Sequence, residues 1–204
     1  MDIFDSMAKD FDTDVRAKRA KVTADEIRMH IVDGRAKSAI EYGCGTGLVG
    51  LQLINDFNTL LFVDSSAEMI KQLERKLDGL NVPSASALCY DFLSDIPPEL
   101  HADYIFSSMV VHHIKDIESV LSHFYNILRT NGHLLIVDLD KEDGRFHADF
   151  PNFDGHNGFE HSFLSKLTAK AGFIKTEIKT YYYDSKIVNG ETAPYSLFIL
   201  DAVK

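Results

Sequence analysis

The residues best suited to binding a ligand lie between Ser38 and Gly50. An apolar run there ends in glycines at three alternate positions, Gly43, Gly45 and Gly47, after which a new apolar pattern begins. This arrangement predicts a strand, a tight turn and a helix. Glycines at such a turn allow positive φ angles and let a ligand approach the bare backbone, and the start of a helix offers unpaired N–H groups. The turn is therefore predicted to hold a nucleotide-like ligand.

Two ligands of this kind are compatible with the turn. The stretch from Gly45 to Gly50 fits the dinucleotide fingerprint G-x-G-x-x-G, with Asp64 downstream as the acid for the ribose. Glu41 separates the two interpretations, because an acid beside the turn disfavours a pyrophosphate and favours an ammonium and a sulfonium. S-adenosylmethionine carries both of these cations and no phosphate. The turn therefore favours S-adenosylmethionine, with a nicotinamide dinucleotide as the alternative.

Two motifs resemble a known family. The run from Glu41 to Gly47, E-x-G-x-G-x-G, resembles the first motif of the class I S-adenosylmethionine-dependent methyltransferases. The run from His112 to Asp116, His-His-Ile-Lys-Asp, resembles a signature of their small-molecule branch, which is similar to the ubiquinone and menaquinone biosynthesis enzymes (methyltransferase type 11/12). The resemblance implies methyl transfer from S-adenosylmethionine to O, N, C or S of a small molecule, with S-adenosylhomocysteine as the product. The rival from another class is a regulatory protein that binds the cofactor without turnover.

The resemblance also implies which side chains hold the cofactor. Asp64, at the end of the second strand, would accept hydrogen bonds from the ribose hydroxyls, and a loop acid that caps the next helix is the other interpretation. Asp91 would accept from the adenine amine while Phe92 packs on the ring, or the two are a turn residue and a core aromatic. The implied cofactor-binding set is Glu41, Gly43, Cys44, Gly45, Gly47, Asp64, Ser65, Met69, Asp91, Phe92, Ser107 and Phe11.

Methyl transfer is an in-line displacement, and it needs an enclosed site that aligns the two reactants. A base is needed only where the acceptor must lose a proton, and a histidine at the carboxyl edge of the sheet has a suitable pKa. His112 and His113 follow the fourth predicted strand and are the candidate catalytic residues. The other interpretation is that they bond the backbone and shape the cofactor pocket.

The stretch from 140 to 158 is the longest predicted irregular segment, and a loop of this length in a compact domain usually has a function. Phe4, His147 and His156 are predicted to lie on the substrate side. Histidines and aspartates of this segment could bind a metal, but their spacing matches no standard site, so the predicted site contains none. We expect residues 1–14 and 140–158 to cover the methyl group from two sides.

Length and composition place further bounds on the protein. The 204 residues fit one domain, and 45% hydrophobic and 25% charged residues are ordinary for a soluble globular protein. A net charge of -10 opposes a nucleic-acid partner, and the basic cluster from Arg16 to Lys21 is interpreted as a solvated helix face. No apolar run predicts a membrane span or a leader, so we expect a cytoplasmic protein, as a monomer or homodimer.

Strands and helices are predicted to alternate through Asp140, which implies a parallel sheet with helices on both faces. We expect helices at 15–32 and 47–57, and a capping box at Ser65–Glu68 begins another helix. A further helix is expected to end at Asn131-Gly132, before a strand at 134–139. A helix at 162–171 then precedes two strands, 174–183 and 195–203, joined by a polar loop.

These elements correspond to the fold that the resemblance implies. That fold is an α/β, seven-stranded, mostly parallel, Rossmann-like methyltransferase sheet with one antiparallel strand and an N-terminal helical lid. Within one domain, we expect an N-terminal cap at 1–34, a cofactor-binding half at 38–140 and a substrate side at 141–204.

Overall fold

The computed structural model describes residues 3–91, 100–150 and 152–204, without the side chains of Ile3 and Phe4. Seven strands form one sheet in the order β3-β2-β1-β4-β5-β7-β6, in which β7 is antiparallel to β5 and β6 and the other described pairs are parallel. The predicted sheet is confirmed. The elements are α1 (Ile3–Met7), α2 (Asp14–Arg28), β1 (Ser38–Tyr42), α3 (Gly50–Leu53), β2 (Thr59–Asp64), α4 (Ala67–Leu80), β3 (Ala85–Cys89), β4 (Ala102–Ser108), α5 (Ile117–Ile127), β5 (Leu128–Leu139), α6 (His161–Ala171), β6 (Lys175–Val188) and β7 (Glu191–Val203).

Apolar side chains pack on both faces of the sheet, as expected when helices cover it on both sides. On one face, α5 and α6 bury Phe124 and Leu164 against strand residues such as Ile105. On the other face, α2 and α4 bury Ile27 and Leu73. Because successive side chains of a strand point to opposite faces, each central strand contributes to both layers. No helix in the described part of the chain is long and apolar enough to cross a membrane.

Two predicted helices are shorter in the structure. Helix α2 ends at Arg28 rather than at Val32, since the chain there turns away and the backbone N–H of Val32 donates to the Tyr104 hydroxyl at 3.0 Å. Helix α3 spans only Gly50–Leu53 rather than 47–57. The glycine turn extends to Gly47, whose φ of 80° is outside the helical range, and so it delays the helix.

Two predicted boundaries also shift. The N-cap of α4 is Ser66, whose hydroxyl accepts the backbone N–H of Met69, and the predicted capping box began one residue earlier. Helix α5 ends at Ile127, and β5 begins at Leu128 rather than at 134. Asn131 takes a φ of 61° inside this strand, near the register shift where β5 pairs with β4, so Asn131-Gly132 is part of a bulged strand start.

The terminal hairpin is longer than predicted. Strands β6 and β7 pair from Lys175 to Val203 with only Asn189-Gly190 between them, and the predicted polar loop is part of both strands. Both turn residues have positive φ, 52° and 84°, as a two-residue hairpin turn of the Asn-Gly kind requires. Polar side chains do not prevent pairing here because this part of the hairpin is largely solvent-exposed.

Candidate cofactor and active site

The glycine turn is fixed to the end of the neighbouring strand. The backbone N–H groups of Gly43 and Cys44 both donate to the Val63 carbonyl, at 2.8 and 3.0 Å. Gly43 has a φ of 68°, and a Cβ there would lie 2.4 Å from the Val110 side chain. A side chain at this position would therefore push apart the turn and the segment after β4. The turn is a rigid part of the site.

Asp64 connects the turn to the next helix. Its Oδ2 accepts the N–H of Gly45 at 2.7 Å, and its Oδ1 accepts the N–H of Ser66 at 2.8 Å. The same carboxylate lies in the wall of a cavity of about 350 Å³. The loop-acid role of Asp64 is observed, and its ribose role stays a prediction.

The cavity brings together most of the predicted site. Ten of the predicted side chains or glycines line it: Phe11, Glu41, Gly43, Cys44, Gly45, Asp64, Ser65, Met69, Asp91 and His113. Gly47 lies behind the turn, where a Cβ would meet Leu73 at 2.6 Å. Phe92 falls outside the described residues, and so does the Phe4 side chain. Residues up to about a hundred positions apart in the sequence, from Phe11 to His113, thus line one cavity.

Ser107 was placed in the cofactor-binding set, but it does not line the cavity. Its side chain is completely buried, and its Oγ has no hydrogen-bond partner among the described residues. The neighbouring Ser108 lines the cavity instead, followed by Met109, which holds a φ of 59°. The alternation of side chains along β4 explains the error, since neighbouring residues face opposite sides of the sheet.

Glu41 is buried in the cavity wall, at 3% exposure. Its Oε1 accepts the backbone N–H of Gly50 at 3.2 Å, and its Oε2 has no hydrogen-bond partner among the described residues. Burial raises the pKa of Glu41 to about 8, with the negative charge of Asp64 adding to the shift. A cation in the cavity would therefore interact with a carboxyl group that is held protonated in its absence.

Helix α2 also contributes to the cavity wall, which the sequence interpretation missed. Arg16, Arg19 and Thr23 line the cavity, so the basic cluster is not merely a solvated face. Their spacing of three and four residues places them on one side of α2, and this is the signal that could have identified them. The Arg16 guanidinium packs on the Phe11 ring, 4.4 Å from its centroid, and donates to the Phe11 carbonyl at 3.0 Å.

The segment before α2 is attached directly to the turn. Asp12 pairs with Lys76 at 2.6 Å and accepts a hydrogen bond from the Thr46 hydroxyl. Ser66 donates to Asp5 at 2.6 Å. Phe11 lines the cavity beside the turn, where a Cβ on Gly45 would lie 3.6 Å from its ring. That this segment covers the methyl group stays a prediction.

The two candidate catalytic histidines have different positions. His112 is buried, at 1% exposure, and its Nδ1 lies 2.5 Å from Oδ1 of Asp138. Its backbone N–H donates to the other oxygen of Asp138 at 3.1 Å. Burial opposes the charge of Asp138, but the contacts with His112 outweigh it and hold the pKa of Asp138 below its usual value. The carboxylate is therefore an acceptor, and Nδ1 of His112 carries a proton.

His113 lies in the cavity wall and contacts His112, with ring centroids 4.1 Å apart. The surrounding protein lowers the pKa of His113 to about 4, and His112 adds to the shift. His113 is nevertheless exposed, and it is one of the residues that line the cavity. His113 is therefore neutral at pH 7 and able to accept a proton.

His147 joins these two histidines from the 140–158 segment. Its ring lies 5.0 Å from that of His112 and 5.5 Å from that of His113. It is buried, and its Nδ1 has no hydrogen-bond partner among the described residues. Burial lowers the pKa of His147 to about 3, with the neighbouring histidines adding to the shift.

The 140–158 segment was expected to be part of a cover over the methyl group. In the structure it lies away from the cofactor cavity. None of its described residues lines that cavity. The segment closes on itself through the bridge between Asp140 and Phe159 and lies over the histidines, where the N–H of His156 donates to the His112 carbonyl at 2.7 Å. The His156 side chain lies near the Lys115 carbonyl, so its predicted substrate-side role has no support from this geometry.

The comparisons with known proteins agree with this architecture. A family model for methyltransferase domains matches residues 40–134, which span the glycine turn, Asp64 and both histidines. An uncharacterized methyltransferase of Schizosaccharomyces pombe is 27% identical over 162 residues, which make up 76% of this chain and 54% of that protein. The chain is therefore similar to the class I S-adenosylmethionine-dependent methyltransferases, most directly over residues 40–134.

Solved structures of the family share the fold. A possible histamine N-methyltransferase from Thermotoga maritima matches with a TM-score of 0.72 and 17% identity, over 99% of this chain and 98% of that one. A phosphoethanolamine N-methyltransferase 2 from Haemonchus contortus also matches with a TM-score of 0.72, at 16% identity, over 87% of this chain and 51% of that one. These similarities support a methyltransferase fold more strongly than they support the ubiquinone-like branch of the family.

The residues of the cavity fit the cofactor of this family. S-adenosylmethionine has an ammonium and a sulfonium, and the unpaired Oε2 of Glu41 is a buried acceptor in the same wall. The wall also provides Asp64 and Asp91 as acceptors for hydroxyl and amine groups. When bound, S-adenosylmethionine supplies an activated methyl group to this cavity.

Proposed function

We propose that the protein transfers the methyl group of S-adenosylmethionine to a small molecule. The observation that carries the proposal is that the glycine turn, Asp64, His113 and Phe11 all line the same cavity. A cofactor held by the turn would have its reactive end near His113. An enclosed site of this kind aligns two reactants and excludes water.

Several features support a small acceptor. The N-terminal segment is bonded to the turn through Asp12 and to the start of α4 through Asp5, and its Phe11 lines the cavity. The net charge of -10 is unfavourable for a nucleic-acid substrate. Two structural neighbours are named for methyl transfer to phosphoethanolamine and, as a possibility, to histamine, both of which are small amines.

The roles of the residues follow from the chemistry. The acceptor atom attacks the methyl carbon, the bond from that carbon to sulfur breaks, and the sulfonium becomes a neutral thioether. Where the acceptor must lose a proton, neutral His113 accepts it. We assign Arg19 to the carboxylate of the cofactor, since it is a cation that lines the cavity.

Calorimetry tests the cofactor part of the proposal. We expect micromolar binding of S-adenosylmethionine and S-adenosylhomocysteine and no binding of NAD. Asp64→Ala should weaken binding by about 2 kcal/mol or more, because it leaves ligand hydroxyls unpaired. The matched control is Asp56→Ala, since Asp56 pairs with Arg28 and is outside this cavity. Equal affinities for the two variants would remove the ribose role of Asp64.

Mass spectrometry tests the transfer itself. The protein is incubated with S-adenosylmethionine and a panel of small amines, phenols, thiols and carboxylic acids. We expect S-adenosylhomocysteine to form together with one acceptor that gains a methyl group. Cofactor binding without turnover on any acceptor would favour the rival, a regulatory protein that only binds S-adenosylmethionine.

A further inference from the structure

Three histidines converge beside the cofactor cavity. His112 and His113 are adjacent in the 3₁₀ turn after β4, and His147 comes from a second 3₁₀ turn in the 140–158 segment. One ring nitrogen from each residue lies within 4.8 Å of the other two. We refer to His112, His113 and His147 as the histidine cluster.

We propose that the histidine cluster binds a divalent transition-metal ion, with Zn²⁺ as the best fit. Three imidazoles are a ligand set of catalytic zinc sites, in which a fourth position stays open for water or substrate. Imidazole nitrogens suit zinc better than the hard cations Mg²⁺ and Ca²⁺, which take oxygen ligands. The inference does not rest on methyl transfer, because the ion would bind whether or not the cofactor is turned over.

The first argument for a metal is the unpaired nitrogen of His147. Buried polar groups in folded proteins nearly always have a partner, and an exception calls for an explanation such as an ion. Nδ1 of His147 is buried without a partner among the described residues, and the His147 ring lies beside two other imidazoles. A coordinated ion would satisfy it.

The second argument is the contact between His112 and Asp138. A metal-binding histidine usually donates its other ring N–H to a carboxylate, which fixes the tautomer and the ring orientation. Nδ1 of His112 makes this bond to Asp138 at 2.5 Å, so Nε2 is left with its lone pair. Asp138 is fully buried and also accepts the N–H of Leu139 at 2.7 Å, which holds the carboxylate in place.

The geometry of the cluster requires only a small adjustment. Zinc–nitrogen bonds of about 2.0–2.1 Å in a tetrahedral site place the nitrogens about 3.3 Å apart. The separations of up to 4.8 Å would therefore contract. His113 is the accessible member of the cluster and can rotate, whereas the His147 ring is stacked on Phe153 with centroids 3.8 Å apart.

The position of the cluster suggests what the ion would do. His113 belongs both to the cluster and to the cavity wall, so the open coordination position would lie beside the cavity. A hydroxyl or thiol acceptor bound there would lose its proton more easily, as metal-bound water does. With the ion bound, His113 would be a ligand rather than the proton acceptor, and the proton would pass to solvent. The acceptor atom would then attack the methyl carbon as the carbon–sulfur bond breaks.

Co²⁺ titration of tag-free, metal-stripped protein tests the proposal, because tetrahedral Co²⁺ has intense visible absorption and Zn²⁺ displaces it. We expect saturable binding of one Co²⁺ per chain, reversed by Zn²⁺. His147→Phe keeps an aromatic ring against Phe153 and should weaken binding at least about 10-fold, because it removes one of the three ligands. Asp138→Asn, which removes the carboxylate that orients His112, should weaken binding about 10- to 100-fold.

The matched control is His156→Phe, since His156 comes from the same segment but is outside the cluster. It should bind Co²⁺ like the unaltered protein. Circular dichroism checks that each variant is folded. No saturable binding to the unaltered protein, or equal loss in the control, would overturn the proposal. Calorimetry with S-adenosylhomocysteine on the same samples separates this result from the proposed function, because each site is measured with its own ligand.

Discussion

At the amino ends of the parallel strands, Asp103 and Asp201 lie among donors and cations. Asp103 accepts from Ser38 at 2.9 Å and lies 3.3 Å from Arg129. Asp201 contacts the rings of His133 and His30, at 2.8 and 3.0 Å. Burial opposes the charge of both aspartates, but these contacts outweigh it and hold both pKa values below the usual range. At this edge of the sheet the charged forms are favoured.

At the carboxyl ends of the strands two buried groups show the opposite balance, although Asp138 is satisfied there. Glu41 and His147 each keep a buried polar atom without a partner among the described residues. Burial raises the pKa of Glu41 to about 8 and lowers that of His147 to about 3, so the neutral form is favoured in both. Buried groups that lack a partner and have shifted pKa values, such as these two, are candidates for ligand contacts. The carboxyl edge is also where ligands bind in open α/β sheets.

Removing one aspartate from each edge should give the largest difference. Asp138→Ala leaves the ring N–H of His112 and two backbone N–H groups without their acceptor in a dry environment. We expect it to lower the free energy of unfolding by about 3–5 kcal/mol. Asp201→Ala should cost about 1–2 kcal/mol, because that carboxylate is partly exposed and water can replace it. Urea denaturation measures both, and equal losses would mean that the two edges do not differ in this respect.

A second prediction concerns the proton on Glu41. A carboxyl whose folded pKa is about 8 binds a proton on folding, so it reduces stability progressively as the pH rises from about 4.5 to 8. Glu41→Gln should therefore be stabilised relative to the unaltered protein more at pH 8.5 than at pH 5. Thermal unfolding at the two pH values checks this, and a difference that does not change with pH would contradict it.

The same proton should respond to the cofactor. The cations of S-adenosylmethionine favour ionised Glu41, so binding at pH 7 should release most of one proton. Calorimetry in two buffers with different ionisation enthalpies measures the release. Glu41→Gln is the control and should release none, and an identical proton count for the two proteins would exclude Glu41 as the source.

The smallest expected effect is the pH dependence at the amino edge. The pKa of Asp201 is lowered in the folded state, so its contribution to stability is present above the unfolded pKa of about 4 and is lost as the pH falls through the folded value. We expect Asp201→Asn to cost about 1 kcal/mol at pH 7 and progressively less below pH 4. Urea denaturation at pH 7, 5 and 3 tests this, and a cost that persists at pH 3 would show that the charge is not responsible.

The sequence by itself determined the local parts of the site. The spacing of Gly43, Gly45 and Gly47 is sufficient to predict the turn. All three adopt positive φ, which glycine tolerates because it has no Cβ. Asp64 could be placed at the cavity since the end of a β-rich run in an alternating sequence lies at the carboxyl edge of a parallel sheet. Alternation and helical periodicity also predicted the sheet and the faces of α4 and α5.

The tertiary structure decided what depends on distant contacts. Asp138 meets His112 across 26 positions only because β4 and β5 are neighbours in register, and His147 reaches both histidines only because the 140–158 segment folds back. The side of β4 that faces the cavity, occupied by Ser108 rather than Ser107, depends on how that strand lies against both layers. Local patterns carry no information on such pairings, because burial, orientation and partner are set by residues far apart in the chain.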